Sequence, residues 1–307
     1  MPDADDLQTV TIESAQLQAT FVPGAGMVCC SLRHEGAELL AQRDGVRAYA
    51  ERGSTMGIPL LYPWANRLAG LHYPGSHGAV ELARAGPLLK LDANGLPIHG
   101  AIAGALPWEL LDDAGASGHG LRARLRWQRP EQLAIFPFAH VLELRAGVEG
   151  DTLVIQTSVR AGAGAPVPVS FGHHPYLTIP GIDRRAWLLE LPVTRRLLLD
   201  ERRIPTGASE PFDERRSALA DTGWDDAFTG LTQPAVFAVS GGGRRIELEF
   251  RQGYPYAQVY APTGEDFICF EPMTAPTNAL ISRDSLPTVP PGGVFRAAFA
   301  VSTAVAG

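Results

Sequence analysis

Leu121-Arg122-Ala123-Arg124-Leu125-Arg126-Trp127 alternates apolar side chains with arginines at every step, the two-residue period of a strand with one face in a core and the other in water. Period-two or short apolar runs recur at Thr9 to Glu13, Leu17 to Val22, Val141 to Gly147, Leu153 to Val159, Arg245 to Phe250 and Phe295 to Val301, and each reads as a strand. Turn signals lie between them, among them Pro23-Gly24, Pro74-Gly75, Asn94-Gly95, Pro180-Gly181 and Pro291-Gly292-Gly293, at spacings expected of a sandwich or barrel. No segment longer than about ten residues carries a convincing apolar stripe at helical spacing, which argues against any α/β fold, where helices must cover a parallel sheet. The expectation is an all-β chain with few short helices.

At 307 residues the length prior suggests about two domains, yet sheets extend sideways around a continuous core, so a single domain over residues 1–307 is expected. The 26 basic and 33 acidic residues give a formal charge of -7, the wrong sign for holding a phosphate backbone, so nucleic acid is excluded as a partner. Cys29 and Cys30 are neighbours and Cys269 sits in an apolar run, which suggests no disulfide framework and fits a reducing cytoplasm. The first six residues are acidic where a signal peptide would be basic then apolar, and no run of about 18 apolar residues occurs, so a soluble protein with no membrane partner is expected. Lys90 is the only lysine, which leaves no other residue for a Schiff base. Composition does not reveal the oligomeric state.

Residues 57–104 and 195–228 break the strand rhythm with Pro, Gly, Asn and charge, and read as two long connections that overhang one cavity. Arginine pairs at 184/185, 195/196, 202/203 and 215/216 lie in or near the second; as solvated loop charges they need no further role.

Two separated segments set a titratable group among apolar neighbours: Phe171-Gly172-His173-His174-Pro175-Tyr176-Leu177 and Ile268-Cys269-Phe270-Glu271-Pro272-Met273. Burying such groups is costly unless a partner or substrate offsets the cost, which points to acid–base chemistry. Read as one strand, residues 169–176 place His174 with Ser170, Gly172 and Tyr176 on a cavity-like face and His173 with Val169 and Phe171 on a core-like one. Histidines on opposite faces do not converge on a metal, and no Cys or His cluster has a metal spacing, so no metal is expected. The same alternation puts Tyr256, Gln258 and Tyr260 on one face, aromatics beside an amide, which suits a sugar. Trp64-Ala65-Asn66-Arg67, Leu96-Pro97-Ile98-His99-Gly100 and Asp225-Asp226-Ala227-Phe228 add an amide, a guanidinium, a histidine and a carboxylate, although Asp225 and Asp226 also fit ordinary turn chemistry.

Taken together and in order, these motifs resemble the aldose 1-epimerase (galactose mutarotase-like) family. Pro63-Trp64-Ala65-Asn66-Arg67 is similar to its Pro-Trp-x-Asn-Arg segment, His99-Gly100 to its first histidine and His174-Pro175-Tyr176 to its His-x-Tyr. Asp225 to Phe228, Gln258-Val259-Tyr260 and Glu271-Pro272 follow as its Asp-x-x-Phe, Gln-Val-Tyr and catalytic glutamate strand. The resemblance implies an antiparallel β-supersandwich with a sugar cleft on one face and no cofactor. It implies Glu271 as general base on the anomeric hydroxyl and His174, protonated, as acid on the ring oxygen, with Asn66, Arg67, His99, Asp225 and Gln258 holding a small-molecule sugar substrate. Such a base must start ionised and such an acid charged. Two other readings stay open: a hexose-6-phosphate 1-epimerase, which needs cations for the phosphate, and a non-catalytic carbohydrate-binding protein on the same fold. The sequence departs from the family where His173 stands in place of an asparagine common among relatives.

Overall fold

The computed structural model describes residues 7–76, 78–106, 108–111 and 118–305; the acidic stretch 1–6 lies outside the described residues. Two large antiparallel sheets dominate. In the nine-stranded sheet the central order is Gly120–Trp127, His140–Glu149, Thr152–Ala161, Val294–Val305, Arg244–Gln252 and Ala235–Gly241. Strict alternation of buried and less buried side chains runs along Gly120–Trp127, His140–Glu149 and Thr152–Ala161. Register then lines up Leu125, Leu142, Val159 and Phe295 in one cross-strand row, the pairing of apolar neighbours that stabilises a sheet.

The eight-stranded sheet runs Pro205–Pro211, Val193–Leu199, Trp224–Leu231, Tyr256–Ala261, Ile268–Met273, Gly172–His173 and Leu60–Leu61, with Tyr176–Leu177 also paired to Ile268–Met273. Its inner face sends Phe228, Val259 and Phe270 into the same buried apolar cluster that takes Leu125, Leu142 and Phe299 from the nine-stranded sheet. A four-stranded sheet, Val10–Glu13 to Ala37–Glu38, packs against the first strands of the larger one. The α-helices Gly45–Arg52, Pro130–Ile135 and Ala279–Ser282 are short. Among the described residues no helix is long and apolar enough to cross a membrane.

Two expectations need correction. Residues 195–228 are not a long connection: they hold Val193–Leu199, Pro205–Pro211, Arg216–Ala218 and Trp224–Leu231. Charges and prolines hid these strands because the sheet is open to water there, so both faces carry polar residues, and Pro205 and Pro211 stand at strand ends where a missing N–H is tolerated. Nor are residues 169–176 one strand. Pairing stops after His173 and resumes at Tyr176, with Pro175, which has no backbone donor, in the gap. Residues 57–104 do form an irregular excursion, built of pieces such as Leu60–Leu61, Leu89–Leu91 and Pro97–Ala101.

His173 points between the sheets, with Nε2 3.2 Å from Thr157 Oγ1 and its ring 4.9 Å from that of Phe299. Burial lowers its pKa to about 3. His140 is also a core histidine: Tyr62 donates its hydroxyl to Nε2 at 2.5 Å and Nδ1 donates to the Phe138 carbonyl at 2.5 Å. Burial lowers its pKa to about 4, against the carbonyl contact that favours the charged ring. Unfolding returns both rings to an ordinary pKa of 6.5, so below that pH the unfolded chain binds protons the folded chain refuses. Stability is therefore expected to fall as pH drops from about 6.5 toward 4, by up to about 1.4 kcal/mol per pH unit for each histidine. Urea denaturation at pH 7, 6 and 5 measures this; His173→Gln should lower the slope, and a midpoint that stays flat would contradict neutral core histidines.

Candidate active site

Because directly opposed residues in an antiparallel sheet share a face, the register of the eight-stranded sheet assembles the outer face in rows. Gln258 stands opposite Glu271 and Ala227, and Tyr260 opposite Asp225 and Cys269, which in turn pairs with Tyr176. With His173 committed to the core, His174 emerges on this outer face, its backbone N–H donating to the Pro59 carbonyl at 3.2 Å. The excursion 57–104 curls over the rows and forms one wall of a cavity of about 180 Å³. His174, Glu271, Asn66, Arg67, His99, Asp225 and Gln258, the seven residues singled out in the sequence, all line it.

The centre is a contact between His174 Nε2 and Glu271 Oε1 at 3.2 Å, with the two residues 4 % and 2 % exposed. The His174 ring stacks on Tyr176 at a centroid distance of 4.4 Å and an interplanar angle of 4°, and turns its edge to His99 and Tyr260. Tyr176 is itself anchored, its hydroxyl 2.6 Å from Thr55 Oγ1 and accepting from Arg43 Nη1 at 3.1 Å. Burial drives Glu271 well above the ordinary carboxylate range, with Asp225 pushing the same way and Arg67 opposing. Burial also lowers His174 to about 3, helped by the charge of Arg43. Both shifts favour the neutral form of each group, so burial works against the charged base and charged acid that the chemistry requires.

Binding groups surround this couple. Gln258 Nε2 donates to Asp225 Oδ1 at 2.7 Å, while Asp226 turns away to Arg196 at 3.6 Å, which settles the choice between the two aspartates as cavity residues. Arg67 Nη1 donates to Asn66 Oδ1 at 3.0 Å and its Nε to Asp92 Oδ2 at 2.7 Å. Asp92 is fixed in turn by the backbone N–H groups of Asn94 and Leu96. Asn66 and His99 have φ of 53° and 62°, a left-handed conformation that costs energy for side chains other than glycine and that clusters at functional sites. Gly100, at φ 71°, lets the chain pass where a Cβ would lie 2.1 Å from the Tyr62 carbonyl oxygen. Four polar atoms at the cavity are buried without a hydrogen-bond partner among the described residues: His99 Nδ1, His174 Nδ1, Gln258 Oε1 and Glu271 Oε2. Orphaned buried polar atoms are costly, and these four belong to residues that line the cavity. Among the described residues no group of three or more His, Cys, Asp or Glu could hold a metal ion.

Sequence reading missed Arg43, Thr55 and Lys90, which also line the cavity. Lys90 stood out only as the sole lysine, and Arg43 had no signal. Tyr256, grouped with Gln258 and Tyr260 by alternation, lies instead on a neighbouring cleft.

The sandwich and its polar outer-face cavity define a fold shared with galactose mutarotase-like proteins. The structure superposes on the Slr1438 protein from Synechocystis sp. PCC 6803 with a TM-score of 0.79 at 24% identity, covering 97% of this chain and 96% of that one. It superposes on a galactose mutarotase-like protein from Clostridium acetobutylicum with a TM-score of 0.83 at 16% identity, covering 98% and 96%. For galactose 1-epimerase from Lactobacillus acidophilus NCFM the TM-score is 0.75 at 15% identity, covering 98% and 100%. The sequence matches the Aldose 1-epimerase family over residues 8–302, and the chain belongs to that family. No curated protein matches it.

The Arg67 and Asp92 side chains are only 18% and 8% exposed. Asp92→Ala leaves the guanidinium without its carboxylate, and is expected to destabilise the protein by about 3 kcal/mol, the cost of breaking a largely buried pair. Urea denaturation at pH 7 checks this, and a loss below about 1 kcal/mol would show that solvent screens the pair.

Proposed function

We propose that the chain is an aldose 1-epimerase that interconverts the α and β anomers of a free aldohexose or related sugar within one domain. The observation that carries the reading is the 3.2 Å contact between Glu271 and His174 at the base of a cavity with unpartnered polar atoms on both residues. Proton transfer from Glu271 to His174 across that contact turns the neutral couple into a carboxylate base and an imidazolium acid. Glu271 then takes the proton of the anomeric hydroxyl as its oxygen becomes a carbonyl. The C1–O5 bond breaks with its electron pair moving to O5, which receives the His174 proton. Rotation about C1–C2 turns the other face of the aldehyde to O5, and the same transfers run backward to close the opposite anomer. Asn66, Arg67, His99, Asp225 and Gln258 hold the remaining hydroxyls, fixing C1 against Glu271 and O5 against His174. The reaction as written needs no cofactor.

Polarimetry of fresh α-glucose and α-galactose solutions tests the reading. Glu271→Gln is expected to abolish the acceleration while leaving sugar affinity within about tenfold, since the amide keeps the shape but cannot take the proton. Rates like the wild type in that variant refute the base assignment; binding of sugar without turnover by the wild type would identify a carbohydrate-binding protein instead.

One observation favours a second reading, a hexose-6-phosphate 1-epimerase. Arg43 and Lys90 line the cavity and form no ion pair among the described residues: Arg43 donates to the Thr55 carbonyl and Tyr176, and Lys90 to the Gly53 carbonyl at 2.7 Å. Burial, and then the charge of Arg43, lower the Lys90 pKa. Of the arginine pairs, Arg185, Arg196, Arg202 and Arg216 pair with Asp221, Glu210, Asp200 and Glu190, and Arg203 lies 3.6 Å from the cavity residue Asp225. If phosphate binds there, Lys90→Gln is expected to raise KM for glucose 6-phosphate by about tenfold, one charge-assisted contact, and to leave glucose unaffected. Equal KM changes for both sugars would exclude the second reading.

A further inference from the structure

The only lysine of the chain lines the catalytic cavity. Lys90 stands in the short strand Leu89–Leu91 and shares the cavity wall with His99, His174 and Glu271. Its stem passes over Gly53, where an added Cβ would lie 3.4 Å from Lys90 Cδ, and Nζ donates to the Gly53 carbonyl at 2.7 Å. Gly53 closes the helix Gly45–Arg52 in the left-handed conformation, its own N–H bonded to the Ala48 and Tyr49 carbonyls, so the group that anchors the amine is itself fixed. We propose that Lys90 is a carbonyl-capture site, whose amine condenses with the open-chain aldehyde of an aldose held in the cavity. The aldose part of the inference rests on the epimerase reading above, which supplies the aldehyde; the reactivity of the lysine toward aldehydes does not.

A lysine attacks a carbonyl only as the free amine, and two surroundings favour that form: burial, and a second cation close by. Lys90 has both, being half-buried and sharing the wall with Arg43, and burial and then Arg43 lower its pKa. One N–H of the neutral amine goes to Gly53, which leaves a lone pair for C1 of the sugar. That lone pair forms the N–C1 bond as the carbonyl electrons move to oxygen, and one amine proton passes to the same oxygen to give a carbinolamine. The hydroxyl then leaves as water with the second amine proton while the C1=N bond closes, so amine and aldehyde become imine and water with no oxidant or reductant. Burial, and then the charges of His174 and Lys90, hold His99 well below the ordinary imidazole range, which puts a neutral ring on the same wall to relay those protons. The imine withdraws the sugar from anomer exchange until water returns the aldehyde.

Cyanoborohydride reduces such an imine to a stable secondary amine, and peptide mass mapping tells Lys90 from the N-terminal amine. Glycolaldehyde, which has no ring to open, tests the lysine by itself. At pH 7 its reductive attachment to Lys90 is expected to run about tenfold faster in the folded chain than in the chain unfolded by urea; a folded rate equal to the unfolded one, or below it, overturns the proposal. With glucose and the same reductant, Lys90 should gain the mass of one hexose less one oxygen, and polarimetric activity should fall in step with that label. Lys90→Arg keeps the positive charge without a nucleophilic amine, and is expected to hold its own starting rate under the same treatment; inactivation that proceeds equally in this variant overturns the proposal. Glucose turnover by polarimetry with no hexose on Lys90 overturns it as well. If the wild type turns over no glucose, the epimerase reading itself fails, and the glycolaldehyde rates alone decide the lysine.

Discussion

The two-residue period of the eight-stranded sheet is the constraint on which the rest depends. His173 is held between the sheets by Thr157 and Phe299, and His174, just past the end of that strand, lines the cavity on the outer side. The same period on the neighbouring strands sends Phe270 and Val259 into the core and Glu271 and Gln258 out beside His174. A one-residue slip in any of these strands would exchange a core side chain for a cavity one, so the packing that stabilises the sandwich also sets the register of the site. Stability and chemistry are properties of one alternation.

Burial shapes that site. A carboxylate and an imidazole in water would ionise separately; here burial raises the carboxyl and lowers the imidazole, so each shift opposes the charged form across a 3.2 Å contact. Its surroundings resist relaxation: His174 is clamped against Tyr176, which Thr55 and Arg43 hold by its hydroxyl. Asn66 and His99 keep unfavourable backbone conformations, which persist only when neighbouring structure over-determines them. The residues lining the cavity thus hold buried polar atoms without partners, at a cost in folding stability.

The sequence by itself determined the sheet content, because alternation in stretches such as Leu121 to Trp127 is a local signal and each strand carries its own copy. It also determined which polar residues were out of place: His174 and Glu271 were legible as titratable groups in apolar surroundings, and Asn66, Arg67, His99, Asp225 and Gln258 through ordered motifs. The strands within residues 195–228 were hidden, since a solvent-open sheet does not force an apolar period on its residues. Tertiary structure alone decided that Asp225 and not Asp226 faces the cavity, that Tyr256 belongs to a neighbouring cleft, and that Arg43 and Lys90 join the wall. It alone set the burial that shifts the couple, because desolvation depends on everything packed around a group. Residues distant along the chain meet through strand register and loop path, and those are set by the whole core rather than by any local run of residues.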